Sequence, residues 1–299
     1  MADALKIDFM GIGAPKCGST WLFYALGQHP KICLSEPKEI KYFNHEDFRR
    51  PYRPGRDRLP LINAYHLNDF SWYENHYKHC PANMLKGEFS PEYMYDETAA
   101  RLIHRHFPDI NLFACLRKPL DQLYSSFFAR SRYAGLDDSE TFEQAIDNDP
   151  RYLREAHYAK HLKRYFELFD RHQIKVVLMD DIVGEPERTV RDMFEFLELE
   201  PNISLDMAKI PKNSAMKRRF ISPEPMMRWF TDFLVDHGQA ALLHRIRNLG
   251  LKNLLMNVST VAATNEPMRP ETRARLAPLF QDDISELEVM LDRDLSAWR

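Results

Sequence analysis

Glycine is scarce in this 299-residue chain, at 10 residues, which excludes collagen-like and linker-rich architectures. Cysteine is scarcer still. Cys17, Cys33, Cys80 and Cys115 are scattered, with no C-x-x-C pair and no metal-ligand spacing. Reduced thiols in a cytoplasm are the simplest expectation for such a set. Positive charge does not dominate either: the formal net charge of -3 argues against a general nucleic-acid binder, though not against a local basic pocket. No stretch approaches the roughly 18 apolar residues of a membrane span. The opening residues, Met1 to Asp8, lack the basic end and apolar core of a signal peptide. What remains is an ordinary globular composition, 44% hydrophobic and 28% charged, on a chain long enough for one large domain or two modest ones.

The hydrophobic pattern predicts strands alternating with helices. Ile7 to Gly11 is a short apolar run ending in a Gly-x-Gly turn, and a helix is expected from Ser19 through Leu26, stopped by Gly27 and Pro30. Ile110–Leu116 and Ile174–Met179 read as further strands. Leu120–Arg130 and Arg154–Phe169 read as amphipathic helices, and Pro186 opens another, with Val190, Phe194 and Leu197 at helical spacing. Such alternation implies a parallel sheet flanked by helices, an α/β fold, with ligands at the carboxyl ends of its strands. From about Pro223 the pattern is mainly helical, ending in Asp282–Ala297. Arg49 to Asn68, rich in Arg and Pro, reads as a surface loop. No internal repeat appears, and residues 1–299 read as one domain with a helical extension from about 223.

The sharpest signal is Gly13-Ala14-Pro15-Lys16-Cys17-Gly18-Ser19-Thr20-Trp21. A strand, a glycine-bearing loop and a helix start form an anion site, because backbone N–H groups and the helix N-terminus point at bound phosphate. The segment nearly fits the phosphate loop G-x-x-x-x-G-K-[ST], except that Ser19 stands where the lysine belongs and Lys16 is the loop's lysine. A kinase or ATPase needs its lysine on the β/γ-phosphates together with magnesium. A lysine inside the loop suits a shorter anion, such as one phosphate bonded to one sulfate.

The run P-K-C-G-S-T-W-L resembles the 5′-phosphosulfate loop of sulfotransferases that use 3′-phosphoadenosine-5′-phosphosulfate (PAPS). The resemblance covers about Ile7 to Leu199, with a looser match around Leu287–Trp298, and is to the bacterial and heparan-type branch. It implies a P-loop-like α/β fold. Lys16, Cys17, Gly18, Ser19, Thr20 and Trp21 would line the donor, with the amides of Gly18, Ser19 and Thr20 on the 5′-phosphate. Lys16 would also neutralise the charge that builds on the leaving oxygen. Arg117-Lys118-Pro119 and Ser125 resemble the family's 3′-phosphate motif R-[DN]-P-x-x-R-x-x-S-x-[YF], with Phe127 in register. Lys118 departs from the usual Asp or Asn, and Gln122 from the usual Arg. A planar guanidinium pairs two phosphate oxygens and a hydroxyl adds a neutral donor, which is the physical reason for Arg117 and Ser125. Tyr158 and Leu162 fit a helix on the adenine side. Lys217 and Arg218, in the basic run Lys212–Arg219, resemble the family's late loop over the nucleotide.

Sulfuryl transfer needs a group to take the acceptor's proton. Pro37-Lys38-Glu39-Ile40-Lys41-Tyr42-Phe43-Asn44 resembles the family's K-E-x-x-[FY]-F segment, whose glutamate, the base, projects onto Glu39. Lys38 and Lys41 favour its ionised form. Glu36 and His45 are rivals. Gly87-Glu88-Phe89-Ser90-Pro91-Glu92-Tyr93 resembles G-E-x-[ST]-P-x-Y, but Phe89 stands where heparan enzymes often carry lysine, which argues against a glycosaminoglycan acceptor. Ser71-Trp72-Tyr73 adds to the match.

The expected activity is therefore transfer from PAPS to a hydroxyl of a small-molecule or saccharide acceptor. It releases 3′-phosphoadenosine-5′-phosphate (PAP) and needs no metal, because the donor carries no triphosphate. Animal relatives in the family are often Golgi membrane proteins, whereas no anchor is read here, so a cytoplasmic setting without nucleic-acid or membrane partners is expected. A phosphate-loop kinase or NTPase and a silent nucleotide-binding module are the alternatives. Tyr65, Trp72, Phe230 and the Met226–Met227 pair are candidates for an apolar acceptor pocket, though each residue type is as readily core.

Overall fold

A computed structural model describes residues 5–44, 69–134, 141–207, 210, 216–218, 260–262 and 267–299, with the backbone alone at 131–134, 216–218 and 260–262. Five strands form the main sheet: β1 (Phe9–Gly13), β2 (Ile32–Leu34), β3 (Leu85–Phe89), β4 (Asn111–Leu116) and β5 (Ile174–Leu178). Their order is β2-β3-β1-β4-β5, and every neighbouring pair is parallel. The helices are α1 (Ser19–Leu26), α2 (Phe70–Glu74), α3 (Ala99–His106), α4 (Pro119–Ala134), α5 (Phe142–Asn148), α6 (Arg151–Ala156), α7 (Tyr158–Phe166), α8 (Met179–Gly184) and α9 (Pro186–Phe196), then α10 (Pro270–Leu276) and α11 (Gln281–Leu291). A short antiparallel pair joins β6 (Met216–Arg218) to β7 (Thr260–Ala262).

Every residue of β1 is buried, as is all of β4 after Asn111. Successive side chains of a strand point to opposite faces, so continuous burial means that both faces of the sheet are covered. The rings of Phe9, Phe89 and Phe113 meet across three adjacent strands, with Phe89 and Phe113 stacked at 6.4 Å. Gly11 faces Phe89 in the register of β1 with β3, and a Cβ there would strike that ring. From β1 the chain moves to one side of the sheet, through β2 and β3, and then crosses to β4 on the other. The crevice at the carboxyl end of β1 is thus the switch point where such sheets bind ligands.

Several elements differ from the sequence expectation. β1 runs through Gly13 rather than stopping at Gly11. β2 has three residues, and β3 carries a glycine and two charged residues, so neither presents a legible apolar run. The helix expected over 154–169 is two helices broken at His157, where ψ is 86°. The new helix start is satisfied by Asp283, whose Oδ2 and Oδ1 accept the Tyr158 and Ala159 amides at 2.9 and 3.0 Å. The final helix ends earlier than expected, at Leu291, where Asp292 turns left-handed with φ 51°. Of the helical region expected from Pro223, only 260–262 and 267–299 are described, and the first of these is a strand. The loop expected over Arg49–Asn68 lies outside the described residues.

The cysteines require a correction. Cys33 and Cys80 form a disulfide with Cα atoms 5.6 Å apart, while Cys17 and Cys115 are free and buried. The 47-residue separation hides the pairing in the sequence. It becomes geometric once β2 is placed beside β3, because Cys80 lies in the turn that leads into β3.

Candidate active site

The loop between β1 and α1 is built from three constraints. The Ala14 amide donates to the Cys115 carbonyl at 2.7 Å, which fixes the loop to β4. Lys16 takes a left-handed conformation, φ 68°, a region that disfavours a side chain and is held only when the surroundings dictate it. Gly18 follows with φ 100°, and a Cβ there would lie 2.8 Å from Ile182 Cδ1 of α8. Helix α1 then opens without a side-chain cap and without an acidic residue in its first turn. Its first amides and its dipole favour an anion. Ser19 is buried, Thr20 and Trp21 are half-buried, and Lys16 is exposed.

Cys17 points inward. Its thiol donates to the Pro15 carbonyl at 3.5 Å and meets the Tyr158 hydroxyl at 3.7 Å. Burial pushes the thiol up to about 12, against the pull of Tyr158, Arg117 and Lys16. Arg117 lies near enough to act on the thiol, so the phosphate loop and the segment after β4 face each other. Arg117 is half-buried, and Ser125 is half-buried on α4. Tyr158 is wholly buried at the start of α7.

The two departures from the family pattern have visible roles. Gln122 Nε2 lies 3.3 Å from the Pro15 carbonyl and 3.0 Å from Ser126 Oγ, so this buried amide braces the phosphate loop from α4. Lys118 Nζ donates to the Ala297 carbonyl at 2.6 Å. Neither role has a signal in the sequence, since the partners are more than a hundred residues distant or on a separate loop.

The segment after β2 carries Glu39. Glu39 and Lys41 are both left-handed, with φ of 66° and 58°. Lys38 Nζ contacts Glu39 Oε1 at 2.8 Å, Lys41 Nζ contacts Glu39 Oε2 at 3.5 Å, and Lys41 also reaches Glu92 Oε2 at 2.8 Å. Burial pushes the Glu39 carboxyl up, but the two ammonium groups outweigh it, and the net shift is downward. The Glu39 side chain is 39% exposed, so an ionised carboxylate is presented to a ligand. Lys38 lies over the Phe23 ring of α1, with Nζ 6.0 Å from its centroid, which sets this segment against the helix that follows the phosphate loop. Glu36 is exposed, its backbone held by His76: His76 Nδ1 donates to the Glu36 carbonyl at 2.7 Å. Trp72 and Tyr73 lie on α2, Tyr73 buried.

Some expectations fall elsewhere. His45, Tyr65, Met226, Met227 and Phe230 lie outside the described residues. Lys217 and Arg218 are described only as backbone in β6. Among the described residues the one group of possible metal ligands is Cys33, His79 and Cys80, two of which are joined to each other.

A parallel sheet with a glycine-bearing loop between its central strand and a helix, a basic segment after the adjacent strand and a carboxylate between lysines defines a P-loop-like α/β protein. Residues 6–219 match the family model described as "Sulfotransferase domain", and the chain belongs to that family. It is 26% identical over 264 residues to human carbohydrate sulfotransferase 15, covering 71% of this chain and 47% of that protein. It is 23% identical over 203 residues to mouse heparan sulfate glucosamine 3-O-sulfotransferase 5, covering 64% of this chain and 54% of that one. The chain thus spans about half the length of these relatives. It shares its fold with a sulfotransferase of Alicyclobacillus acidocaldarius, at a TM-score of 0.70 and 23% identity, covering 99% of this chain and 100% of that one.

Proposed function

We propose that this protein transfers the sulfuryl group of PAPS to a hydroxyl of a small-molecule or saccharide acceptor. The observation that carries the reading is the bracing of the phosphate loop by the neighbouring strand and helix, with the Ala14 amide on the Cys115 carbonyl and Gln122 Nε2 on the Pro15 carbonyl, which sets the loop and the segment after β4 at one crevice. The α1 amides suit the 5′-phosphate, and Gly18, with φ 100° and no Cβ to strike Ile182, lets the loop turn into the helix. Arg117 and Ser125 suit the 3′-phosphate, and Tyr158 supports the loop through Cys17. Lys217 and Arg218 would reach over the nucleotide. In the reaction a bond forms from the acceptor oxygen to sulfur as the bond from sulfur to the 5′-phosphate oxygen breaks. Glu39 takes the acceptor proton, and Lys16 neutralises the charge on the departing phosphate. Lys38 and Lys41 keep Glu39 ionised for that task.

Named relatives act on carbohydrate, which favours a saccharide hydroxyl, while Phe89 in place of a basic residue favours a smaller acceptor than a sulfated chain. Residues 1–299 are read as one domain, because α11 caps α7 and the segment after it bonds the loop after β4. A metal plays no part in this scheme. Among the described residues no helix is long and apolar enough to cross a membrane. The cytoplasmic setting rests on the sequence, and the Cys33–Cys80 bond weighs toward an oxidising compartment. The kinase alternative gains no support from the family match.

Calorimetry with PAP in the absence of metal, set against ATP with magnesium, tests the donor. Selective binding of PAP, weakened in Arg117→Ala, is expected. Preference for magnesium-ATP, or indifference to Arg117→Ala, overturns the reading.

A further inference from the structure

Glu88 is fully buried near the end of β3, a place where an unpaired carboxylate is expensive. It is far from unpaired. Tyr73 Oη and Tyr93 Oη donate to its Oε1 at 3.0 and 3.1 Å, and Ser90 Oγ donates to Oε2 at 2.8 Å. Burial pushes its carboxyl up to about 7, with those hydroxyls and the nearby Ile40 amide pulling the other way.

The direction of these bonds has a consequence for the neighbouring loop. Ser90 and Tyr93 each donate to Glu88, so the single hydroxyl proton of each is committed there. Their oxygens are left to accept. Ser90 Oγ accepts the Lys41 amide at 3.0 Å, and Tyr93 Oη accepts the Phe43 amide at 3.4 Å. One carboxylate therefore fixes the amides of Lys41 and Phe43 through two hydroxyls. The first of them belongs to left-handed Lys41, two residues after Glu39. Two left-handed non-glycine residues in three positions persist only where the surroundings over-determine them, and on the loop's inner side those surroundings are Glu88 and its hydroxyl partners.

We infer that Glu88 is a positioning residue: through Ser90 and Tyr93 it holds the loop that aims Glu39 and keeps Lys41 against it. The inference rests on the reading of Glu39 as the base, and it adds a role for the Gly-Glu-x-Ser-Pro-x-Tyr segment that goes beyond packing.

The test uses the full chain and needs no acceptor. Glutamate carboxyl carbons are followed by NMR through a pH titration, with the Glu39 signal assigned by its loss in Glu39→Gln. Amide exchange is followed at residues 40–43, and PAP affinity is the control. In Glu88→Gln the Glu39 titration is expected to move upward by about half a unit or more as Lys41 leaves it. Exchange at Lys41 and Phe43 should rise at least tenfold, while PAP affinity stays within twofold. Ser90→Ala should raise exchange at Lys41 but not at Phe43, and Tyr93→Phe the reverse, so the arms are read separately even where Glu88→Gln fails to fold. An unchanged Glu39 titration with unchanged exchange at 40–43 overturns the inference. Activity that survives in Glu39→Gln, once an acceptor is known, sinks the base reading alone and leaves the loop result standing.

Discussion

The Tyr158 hydroxyl lies 3.7 Å from Cys17 Sγ, with both residues fully buried behind the phosphate loop. The contact joins the first helix turn after the His157 break to the loop that would hold the donor, 141 residues earlier. The hydroxyl is a polar partner of the thiol there, yet burial outweighs it and holds the thiol protonated.

Thiol labelling checks this directly. Cys17, raised to about 12 by burial, and Cys115, raised well above the ordinary thiol value by the same cause, should stay unlabelled in the native protein at pH 8. Two thiols should appear in denaturant without reductant, and four with it. Four thiols without reductant would show that Cys33 and Cys80 are not joined. Cys33→Ser is expected to lower unfolding stability by about 2–4 kcal/mol, the usual range for closing a loop of this size, measured by urea titration.

Gly18→Ala tests the cradle. The residue must hold φ 100° and find room beside Ile182, so a loss of about 1–3 kcal/mol in stability is expected. PAP affinity should fall tenfold or more, because the α1 amides shift with the loop. Wild-type affinity in calorimetry would mean that the loop does not grip the phosphate.

Glu39, proposed as the base, is expected to set the acid side of the pH profile. Its carboxyl is lowered below 4.5 in the fold by Lys38 and Lys41, so the base stays ionised as pH falls to that value, and turnover should not decline above it on its account. A lowered carboxyl stabilises the fold above its unfolded value and loses that contribution as pH falls through the folded one. Lys41→Ala removes one of the two ammonium groups, and the acid limb of the rate profile should move upward. A profile identical to wild type would sink the coupling.

Asp283 has the opposite sign. Burial raises it from 3.8 to about 6, despite the two amides it accepts. A carboxyl raised by folding stabilises the protein below its unfolded value, and that contribution is lost as pH rises through the folded value. Thermal stability should therefore fall between about pH 4 and 6, by an amount of order 2–3 kcal/mol. Asp283→Asn should flatten that slope while keeping one acceptor for the α7 amides. An unchanged slope would assign it to other groups.

Much of the site was legible because its residues are adjacent in the chain. Lys16 to Thr20 form one loop and Lys38 to Lys41 another, and α1 and the start of α9 followed from Gly, Ser and Pro punctuation. What escaped was set by distance in sequence. β3 was hidden by its own chemistry, since Lys86, Gly87 and Glu88 break the apolar run and Glu88 reads as a surface charge until Tyr73 and Tyr93 are seen around it. The break at His157 was invisible because its compensation comes from Asp283, 125 residues away. Gln122 looked like a lost arginine, and only the fold shows it under Pro15.

The clasp at residues 293–298 bears on the order of folding. Arg293 pairs with Asp181, Trp298 Nε1 donates to Asp180, and Lys118 holds the Ala297 carbonyl, so the segments after β4 and β5 are fastened by residues 112 to 179 positions further along the chain. Contacts of such separation form only after a long loop has closed, so the strand ends beside the phosphate loop should be among the last parts of the sheet to become fixed.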